Sequence, residues 1–512
     1  MLAKIKSVGV FGIDAYLVEI EVDVARAMMP GMVMVGLPDA AVKESRDRVR
    51  AALLNSGYQF PVKKVTINLA PADIRKEGPA YDLPIALGFL VATEQIDSAL
   101  LSDYAIVGEL ALDGALRRVK GCLSMAMALK DSETKGLILP AENAPEAAVV
   151  EGVEVIPVKN LAEAVGFLCG KLIIPPAGAN LDEVFRERSV YEEDFAEVKG
   201  QEHVKRALIV AAAGGHNVIM IGPPGSGKTM AARRLPTILP QLTPQESLET
   251  TRIYSVAGLL DKGKSLIATR PFRNPHHSIS DAGLIGGGTF PRPGEVSLAH
   301  HGVLFLDELP EFTRRTLESL RQPLEDGRVT IARALTSVTY PAQIMMVAAS
   351  NPCPCGYLTD PKRECHCTPH QIQNYMSRIS GPLLDRIDIH IEVPPIAYKE
   401  LAGRETGESS SRIRERVVTA RRIQARRFRT DNIFTNARMT NKLIKKYCRL
   451  DDASELLLRQ AMTELGLSAR AYTRILKVAR TIADLEDSPE MQVHHISEAV
   501  QYRSLDRALW RA

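Results

Sequence analysis

The chain has 512 residues and a formal net charge of only +3, so any affinity for nucleic acid must come from local clusters of positive charge. At roughly 100 to 200 residues per domain, this length excludes a single core and predicts about three domains. Seven cysteines exclude a disulfide framework in so long a chain and indicate a reducing, cytoplasmic environment.

Residues 1–170 alternate short β-like runs with helical stretches, which predicts an independent α+β domain. Acidic residues interrupt the apolar stretches near its N-terminus, and its best apolar run, residues 83–92, is about half as long as a bilayer requires. We therefore expect neither a signal peptide nor contact with a membrane. Residues 171–197 are rich in proline and acidic side chains and are predicted to form an exposed linker.

A glycine-rich loop follows an apolar run and precedes a helix-compatible segment within residues 216–235. It fits the phosphate-loop pattern G-x-x-x-x-G-K-[ST] in the required strand, loop and helix setting. Its residues are Gly222, Pro223, Pro224, Gly225, Ser226, Gly227, Lys228 and Thr229. We expect backbone N–H groups and the helix start to surround the phosphates, Lys228 to reach the terminal phosphates, and the Thr229 hydroxyl to ligate Mg²⁺.

A second apolar run, residues 302–306, ends in Asp307 and Glu308. Ligands bind at the carboxyl ends of strands in open α/β sheets, which is where these carboxylates are expected to emerge. We expect Asp307 to hold Mg²⁺ through water and Glu308 to orient and polarise the attacking water. The alternative is an acid pair that caps a helix after a core strand.

Two further side chains are predicted to complete the site. Asn351 ends a third apolar run and is placed to hydrogen-bond the γ-phosphate or the attacking water, like the polar sensor of AAA+ ATPases. Arg386 is the predicted arginine finger, inserted into the site of a neighbouring subunit. Arg378 is its rival, and an ordinary surface salt bridge with Asp385 or Asp388 is the alternative.

The segment after residue 395 has a break rich in glycine, serine and glutamate and then reads as helices. Residues 411–430 contain eight arginines and one glutamate, which indicates either a phosphate-contacting face or a solvated helix face. Arg470 opens a later segment with apolar positions at helical spacing. It is the preferred second-sensor candidate, and Arg474 and Arg480 are taken as plain exposed positions.

Four cysteines form two C-x-C pairs separated by nine residues: Cys353, Cys355, Cys365 and Cys367. Four thiolates suffice for a tetrahedral, structural zinc site with no open position for water. His366 and His370 offer alternative ligands, and free thiols in a reducing cell are the competing interpretation.

These motifs together resemble the magnesium-chelatase-like AAA+ proteins of the ComM/YifB type over essentially the whole chain. The most specific matches lie at residues 35–45, 68–79, 274–278, 351–356 and 377–388. The resemblance implies a multidomain α/β protein with a Lon-protease-like α+β domain (residues 1–170), a central AAA+ P-loop α/β core (198–395) and a helical C-terminal lid (396–512). It also implies a hexameric ATP-driven ring that migrates branched DNA and helps incoming single strands to integrate during natural transformation.

In that clade, hairpins inserted in the ATPase core face the pore. Here the resemblance suggests residues 283–294 and the pair 328–333 and 337–340, with Arg292, Arg328 and Arg333 as DNA contacts. The position that matches the protease serine holds Ala80, and the matching lysine position holds Leu123, so we expect a non-proteolytic domain. The alternatives are a magnesium-chelatase motor subunit, an ATP-dependent protease or a purely structural ring.

Overall fold

The computed structural model describes residues 1–25, 31–60, 63–97, 100–179, 185, 191–288, 291–332, 337–396, 407–431, 433–503 and 505. The first strands are β1 (Leu2–Phe11), β2 (Asp14–Ala25), β3 (Gly31–Val35), β4 (Lys64–Ala70), β5 (Tyr104–Ile106), β6 (Glu109–Leu110), β7 (Leu116–Arg117), β8 (Gly136–Pro140) and β9 (Glu154–Val158). They are followed by β10 (Val218–Ile221), β11 (Phe272–Arg273), β12 (Gly286–Gly287), β13 (Arg292–Pro293), β14 (Val303–Leu306), β15 (Arg328–Ala332), β16 (Ser337–Pro341), β17 (Met345–Ser350) and β18 (Ile389–Glu392).

The helices up to residue 257 are α1 (Ala40–Asn55), α2 (Asp82–Ala92), α3 (Cys122–Leu129), α4 (Ala144–Ala147), α5 (Leu161–Leu168), α6 (Glu202–Gly214), α7 (Lys228–Ile238) and α8 (Pro244–Ala257). The next are α9 (Asp281–Ile285), α10 (Glu295–Leu298), α11 (Arg314–Ser319), α12 (Arg321–Asp326), α13 (Pro369–Met376) and α14 (Gly381–Leu384). The C-terminal ones are α15 (Ser410–Arg427), α16 (Asn441–Tyr447), α17 (Asp452–Glu464), α18 (Ala469–Leu485) and α19 (Val493–Gln501). Among the described residues, no helix combines the length and hydropathy needed to cross a bilayer.

The chain divides into two compact units. The first comprises residues 1–188, 243–268 and 332–340, and the second comprises residues 189–242, 269–331 and 341–512. The first unit therefore includes α8, which lies inside the segment predicted as the ATPase core. The boundaries predicted at residues 170, 197 and 395 remain predictions.

The first unit contains a four-stranded sheet in the order β1-β2-β4-β3 and a three-stranded parallel sheet in the order β5-β8-β9. In β1 and β2, apolar side chains at alternate positions point into the core, as the two-residue period of a strand requires. Helix α2 packs on these two strands and is buried over nearly its whole length. This architecture confirms the predicted α+β character of the segment.

No protease-like nucleophile is exposed at the positions singled out in the sequence. Ala80 lies in a short 3₁₀ turn, and Leu123 is buried at the start of α3. The neighbouring Ser124 is buried, and its hydroxyl donates to the Ile13 carbonyl at 2.6 Å. A serine with its hydroxyl bound to a backbone carbonyl and no access to solvent is a poor nucleophile. The non-proteolytic role of this domain stays a prediction.

The second unit is built on a five-stranded parallel sheet in the order β11-β14-β17-β10-β18. Its central strands are fully buried and apolar, apart from Ser350 at the end of β17, as expected for a parallel sheet covered on both faces. The phosphate-loop strand β10 lies between β17 and β18, and β17 also pairs with β14. The carboxyl ends of β10, β14 and β17 therefore meet at one edge, and the loops that follow them can form a single site.

The described residues between 410 and 503 are mainly helical, as predicted for the lid. Helices α15 and α18 pack on α6, and one continuous apolar core joins these helices to the five-stranded sheet. Arg480 corrects the sequence interpretation, because it is buried rather than exposed and donates to the Asp484 carboxylate and to the Pro489 and Ser488 carbonyls.

Candidate functional site: a phosphate loop with two carboxylates and a buried lysine

The phosphate loop joins the buried strand β10 to helix α7. Gly225 and Gly227 have φ values of +75° and +89°, which side chains with a Cβ rarely adopt, so these glycines permit the tight turn. Gly222 has no room for a side chain, because a Cβ there would lie 2.1 Å from the Val393 carbonyl oxygen. The loop thus presents its backbone at the start of a helix, the arrangement that binds phosphate.

The Lys228 ammonium lies inside this loop and is only 8% exposed. It donates to the Gly222 carbonyl at 2.6 Å, to the Pro223 carbonyl at 2.9 Å and to the Asn351 side-chain oxygen at 3.4 Å. Burial lowers the pKa of Lys228 to about 8, although Asp307 and Glu308 act in the opposite direction. The predicted sensor Asn351 therefore lies beside the lysine, at the carboxyl end of the neighbouring strand.

Both proposed magnesium ligands face one another. The Thr229 hydroxyl donates to the Asp307 carboxylate at 2.8 Å. Two oxygen donors at that spacing, next to a phosphate loop, match the ligand preference of Mg²⁺, which usually takes one or two protein oxygens and completes its shell with water and phosphate. Glu308 is exposed and in the left-handed backbone region, with φ +52°, and its carboxylate lies 3.3 Å from the His277 ring.

The two arginine-finger candidates differ in exposure. Arg386 is 7% exposed and pairs with Glu325 at 2.5 Å, while it also donates to the Pro382 carbonyl. Its partner is thus neither Asp385 nor Asp388, the acids considered in the sequence. Arg378 is exposed and pairs with Glu311, three residues after Glu308. The role of either arginine in a neighbouring site remains a prediction.

The second-sensor candidates lie on the same helix, α18, and contact different acids. Arg470 is exposed and pairs with Asp385 at 2.8 Å. Arg474 pairs at 2.9 Å with Asp388, whose side chain is almost fully buried. The assignment of Arg470 as a sensor remains a prediction, whereas the geometry gives Arg474 a clear structural contact.

A buried polar network between the sheet and α18 was missed in the sequence. His216, directly before β10, contacts the Asp388 carboxylate at 3.1 Å through Nδ1 and the Thr481 hydroxyl at 2.8 Å through Nε2. Burial lowers the pKa of His216. Burial alone would raise the pKa of Asp388, but Arg474 and His216 outweigh it and hold that pKa well below its usual range. A polar side chain at the start of a buried strand was the only sequence signal.

Two of the three predicted DNA contacts lie on short strands. Arg292 is exposed and lies opposite Gly287 in the antiparallel pair β12 and β13. Arg328 is exposed at the start of β15, where alternate residues are buried. Arg333 lies outside the described residues. The segments predicted to pair, 328–333 and 337–340, coincide with strands over their described parts.

The arginine-rich segment coincides with α15, and its arginines divide into two groups. Arg414, Arg421 and Arg427 turn inward and donate to the Thr237 carbonyl, the Ala212 carbonyl and the Asp484 carboxylate. The other five face water. The inward arginines have structural contacts, so only the exposed side of the helix remains a candidate phosphate-contacting face.

The four sulfurs of Cys353, Cys355, Cys365 and Cys367 lie within 4.8 Å of one another. The histidines considered as alternative ligands, His366 and His370, are exposed and do not belong to this group. The side chain of His370 instead contacts Asn374 at 3.0 Å.

Comparison with known proteins agrees with this geometry. The family described as magnesium chelatase, subunit ChlI, matches residues 194–401, its C-terminal region matches residues 407–503, and a further family described as subunit ChlI of Mg-chelatase matches residues 20–143. Together with the parallel sheet and the phosphate loop, these matches define a magnesium-chelatase-like AAA+ protein.

Full-length relatives narrow the class. Competence protein ComM of Haemophilus influenzae is 44% identical over 516 residues, covering 99% of this chain and 98% of its own. The protein YifB of Escherichia coli is 45% identical over 502 residues, covering 97% and 96%. The chain therefore belongs to the ComM/YifB family. Lon protease 2 of Bacillus subtilis is 32% identical over 168 residues, covering 31% of this chain and 30% of its own, in keeping with the predicted Lon-like domain.

Proposed function

We propose that this protein hydrolyses ATP with Mg²⁺ at the phosphate loop. The observation on which the proposal rests is the meeting of Lys228, Thr229, Asp307 and Asn351 through direct hydrogen bonds at one edge of the sheet. Lys228 and the loop N–H groups would bind the β- and γ-phosphates, the Thr229 hydroxyl would ligate Mg²⁺, and the Asp307 carboxylate would hold the ion through water. Bound Mg²⁺ neutralises charge that develops on the phosphates, and phosphoryl transfer depends mainly on such positioning and charge stabilisation.

The attacking water is the part of the reaction assigned to Glu308. Its carboxylate follows Asp307 directly and is exposed at the edge where the phosphates would lie. A carboxylate in that position accepts a hydrogen bond from water and directs it toward the γ-phosphate. Asn351 donates its amide N–H groups to the γ-phosphate or to the same water, since its side-chain oxygen faces Lys228.

We further propose that the hydrolysis drives a ring, with six subunits expected, along branched or single-stranded DNA, and that the motor promotes strand integration during natural transformation. The support is the full-length similarity to a protein named for competence and the two exposed arginines, Arg292 and Arg328, on short strands of the ATPase unit. An exposed arginine on such a strand can bind the phosphate backbone without reading sequence. The proposed setting is the cytoplasm.

The direct test measures ATP hydrolysis and branch migration by the purified protein. We expect DNA to stimulate hydrolysis and a four-way junction or three-strand intermediate to be resolved only with ATP and Mg²⁺. Lys228→Ala is expected to abolish both activities, whereas Lys262→Ala, an exposed lysine paired with Glu142, is the matched control. Hydrolysis that no DNA structure stimulates at any salt concentration would contradict the DNA part of the proposal while leaving the ATPase intact.

The hairpin arginines are tested separately from the chemistry. Arg292→Ala and Arg328→Ala should each leave basal ATP hydrolysis unchanged and weaken DNA binding, with a salt dependence reduced by about one phosphate contact. Arg459→Ala, an exposed arginine paired with Glu455 on α17, is the control. Unchanged DNA affinity in both hairpin variants would remove these residues from the interface.

A chelatase motor is the second candidate, because the family descriptions that match all three regions name magnesium chelatase. Such a motor would use the same ATP site to drive Mg²⁺ into a porphyrin through partner subunits. Stimulation of ATP hydrolysis by a porphyrin-binding partner, with no response to DNA, would favour it.

A further inference from the structure

The four cysteines that follow Asn351 have the spacing of metal ligands rather than of a disulfide. The Cys353 sulfur lies 3.3 Å from that of Cys355 and 3.7 Å from that of Cys365, and the Cys355 and Cys365 sulfurs are 3.6 Å apart. A tetrahedral zinc ion with Zn–S bonds of about 2.3 Å places its sulfurs about 3.8 Å apart. A disulfide requires about 2.05 Å. The observed sulfur separations are close to those of a zinc site and far from the length of a disulfide bond.

Backbone N–H groups around the sulfurs add a second observation. The N–H of Cys355 donates to the Cys367 sulfur at 3.4 Å. The N–H groups of Gly356 and Leu358 face the Cys353 sulfur, and that of Tyr357 faces the Cys355 sulfur. Such N–H donors stabilise thiolates and orient metal ligands. All four ligands would be protein atoms, which is the composition of a structural site.

We propose that these thiolates bind one Zn²⁺, and that the ion holds Asn351 and the phosphate loop in register. Cys353 follows Asn351 by two residues, so the ion fixes the chain that carries the sensor amide. Gly356 follows Cys355 directly and packs on the phosphate loop. A Cβ at this position would lie 2.7 Å from Pro224 Cδ.

The segment has no other regular framework. Residues 351–368, all of them described, contain neither a helix nor a strand. A loop of this length without secondary structure loses much conformational entropy when it is ordered, and four metal bonds offset that cost. Strand β17 ends at Ser350 and holds the chain before Asn351, and the ion fixes the chain that follows it.

Metal content tests the site directly. Full-length protein purified without chelator should contain about one zinc per protomer by mass spectrometry. Cys365→Ser and Cys367→Ser should lose the zinc, whereas Cys169→Ser, a partly exposed cysteine elsewhere in the chain, should retain it. Absence of zinc from the wild-type protein would overturn the proposal. If a serine variant does not fold, zinc removal from the wild type with a thiol-reactive mercurial, followed by excess thiol with or without zinc, makes the same comparison.

The positioning role rests on the proposed ATP site and is measured as nucleotide affinity. Protein depleted of zinc should bind a fluorescent ATP analogue about tenfold or more weakly, since the loss of one hydrogen bond to a charged phosphate oxygen costs about tenfold in affinity. Zinc addition should restore the affinity. If the zinc-loaded and zinc-depleted proteins bind the ATP analogue equally well, the positioning role is overturned. If the wild type binds zinc but no nucleotide, the result instead contradicts the proposed ATPase.

Gly356→Ala separates the contact with the phosphate loop from metal binding, because it keeps all four thiols. We expect normal zinc content and weakened nucleotide binding. Gly57→Ala is the matched control, since both glycines have φ +84° but no atom lies within 4 Å of a Cβ at Gly57. The control therefore has the same backbone strain without the contact with Pro224. Equal nucleotide affinity in the two variants would overturn this contact.

Discussion

At the scale of single residues, Lys228 shows how the phosphate loop satisfies a buried charge. The ammonium donates to two carbonyls of its own loop and to Asn351, so its burial leaves no donor without a nearby acceptor. Phosphate oxygens would replace these neutral acceptors with charged ones, and hydrogen bonds to charged groups are the stronger. Nucleotide binding at this site is therefore an exchange of hydrogen bonds rather than a simple gain.

The lowered pKa of Lys228 predicts proton uptake on binding. Below about pH 8 the ammonium is already formed, so binding takes up no proton at this residue. Above that pH the neutral amine must gain a proton when phosphate binds, and the affinity for ATP falls as the pH rises. Calorimetry in two buffers of different ionisation enthalpy should detect this uptake at pH 8.8 and not at pH 7. Lys228→Arg, which stays charged, should show none at either pH.

Glu308→Gln tests the assignment of the carboxylate that orients water. The amide cannot accept the water proton, so we expect ATP to bind normally while the single-turnover rate of hydrolysis falls by about a hundredfold or more. Glu318→Gln changes an acid on α11 that pairs with Arg321 of α12, and this variant should keep the wild-type rate. A Glu308→Gln protein that hydrolyses ATP normally would assign the water to another group.

At the scale of elements, helix α18 makes two ion pairs of different kinds within one turn. Arg474 neutralises Asp388, which is buried beside the strand that enters the phosphate loop, and Arg470 pairs with Asp385 at the surface. The first pair ties the helix to the sheet through an acid that cannot reach water. The second pair can dissociate with little loss of folding free energy, because exposed ion pairs contribute little to stability. Arg470 is therefore available to contact a nucleotide.

The two arginines should therefore separate stability from activity. Arg474→Ala leaves Asp388 buried without its main cation and is expected to lower the free energy of unfolding by about 3 kcal/mol. Arg470→Ala should change that free energy little, because exposed ion pairs contribute little, yet it should slow ATP hydrolysis if Arg470 is the second sensor. Urea denaturation measures the change in the free energy of unfolding, and ATPase rates measure the change in activity. If Arg474→Ala loses ATPase activity without loss of stability, Arg474 rather than Arg470 would be the second sensor.

The sequence predicts the elements well and their long-range partners poorly. Short apolar runs before Gly222, Asp307 and Asn351 predict the three strands that meet at the site, because a short apolar run that ends in a turn residue or a polar residue is typical of a buried strand in an α/β protein. By contrast, His216 contacts Asp388, which is 172 residues away in the sequence, and Arg386 contacts Glu325, which is 61 residues away. Such pairs depend on how helices pack on the sheet, which a local pattern does not encode.

At the scale of the whole molecule, the predicted ring requires that one subunit complete the site of the next. Arg386→Ala protein should bind ATP but hydrolyse it about 10³-fold or more slowly, as expected when an arginine finger is lost. Mixed with Lys228→Ala protein it should regain activity, because some junctions then combine an intact Lys228 with an intact Arg386. Arg378→Ala in the same mixture tests the rival. A mixture that stays inactive would contradict a shared site.

The first compact unit is discontinuous in sequence, and this affects the order in which the protein can fold during synthesis. Helix α8, from residues 244–257, packs on α3 within that unit, and Leu266 is buried in its core. A nascent chain that has emerged only to residue 188 therefore lacks part of the apolar surface that the unit buries. The core of the first unit is therefore complete only after the chain beyond the phosphate loop, up to at least Leu266, has been synthesised.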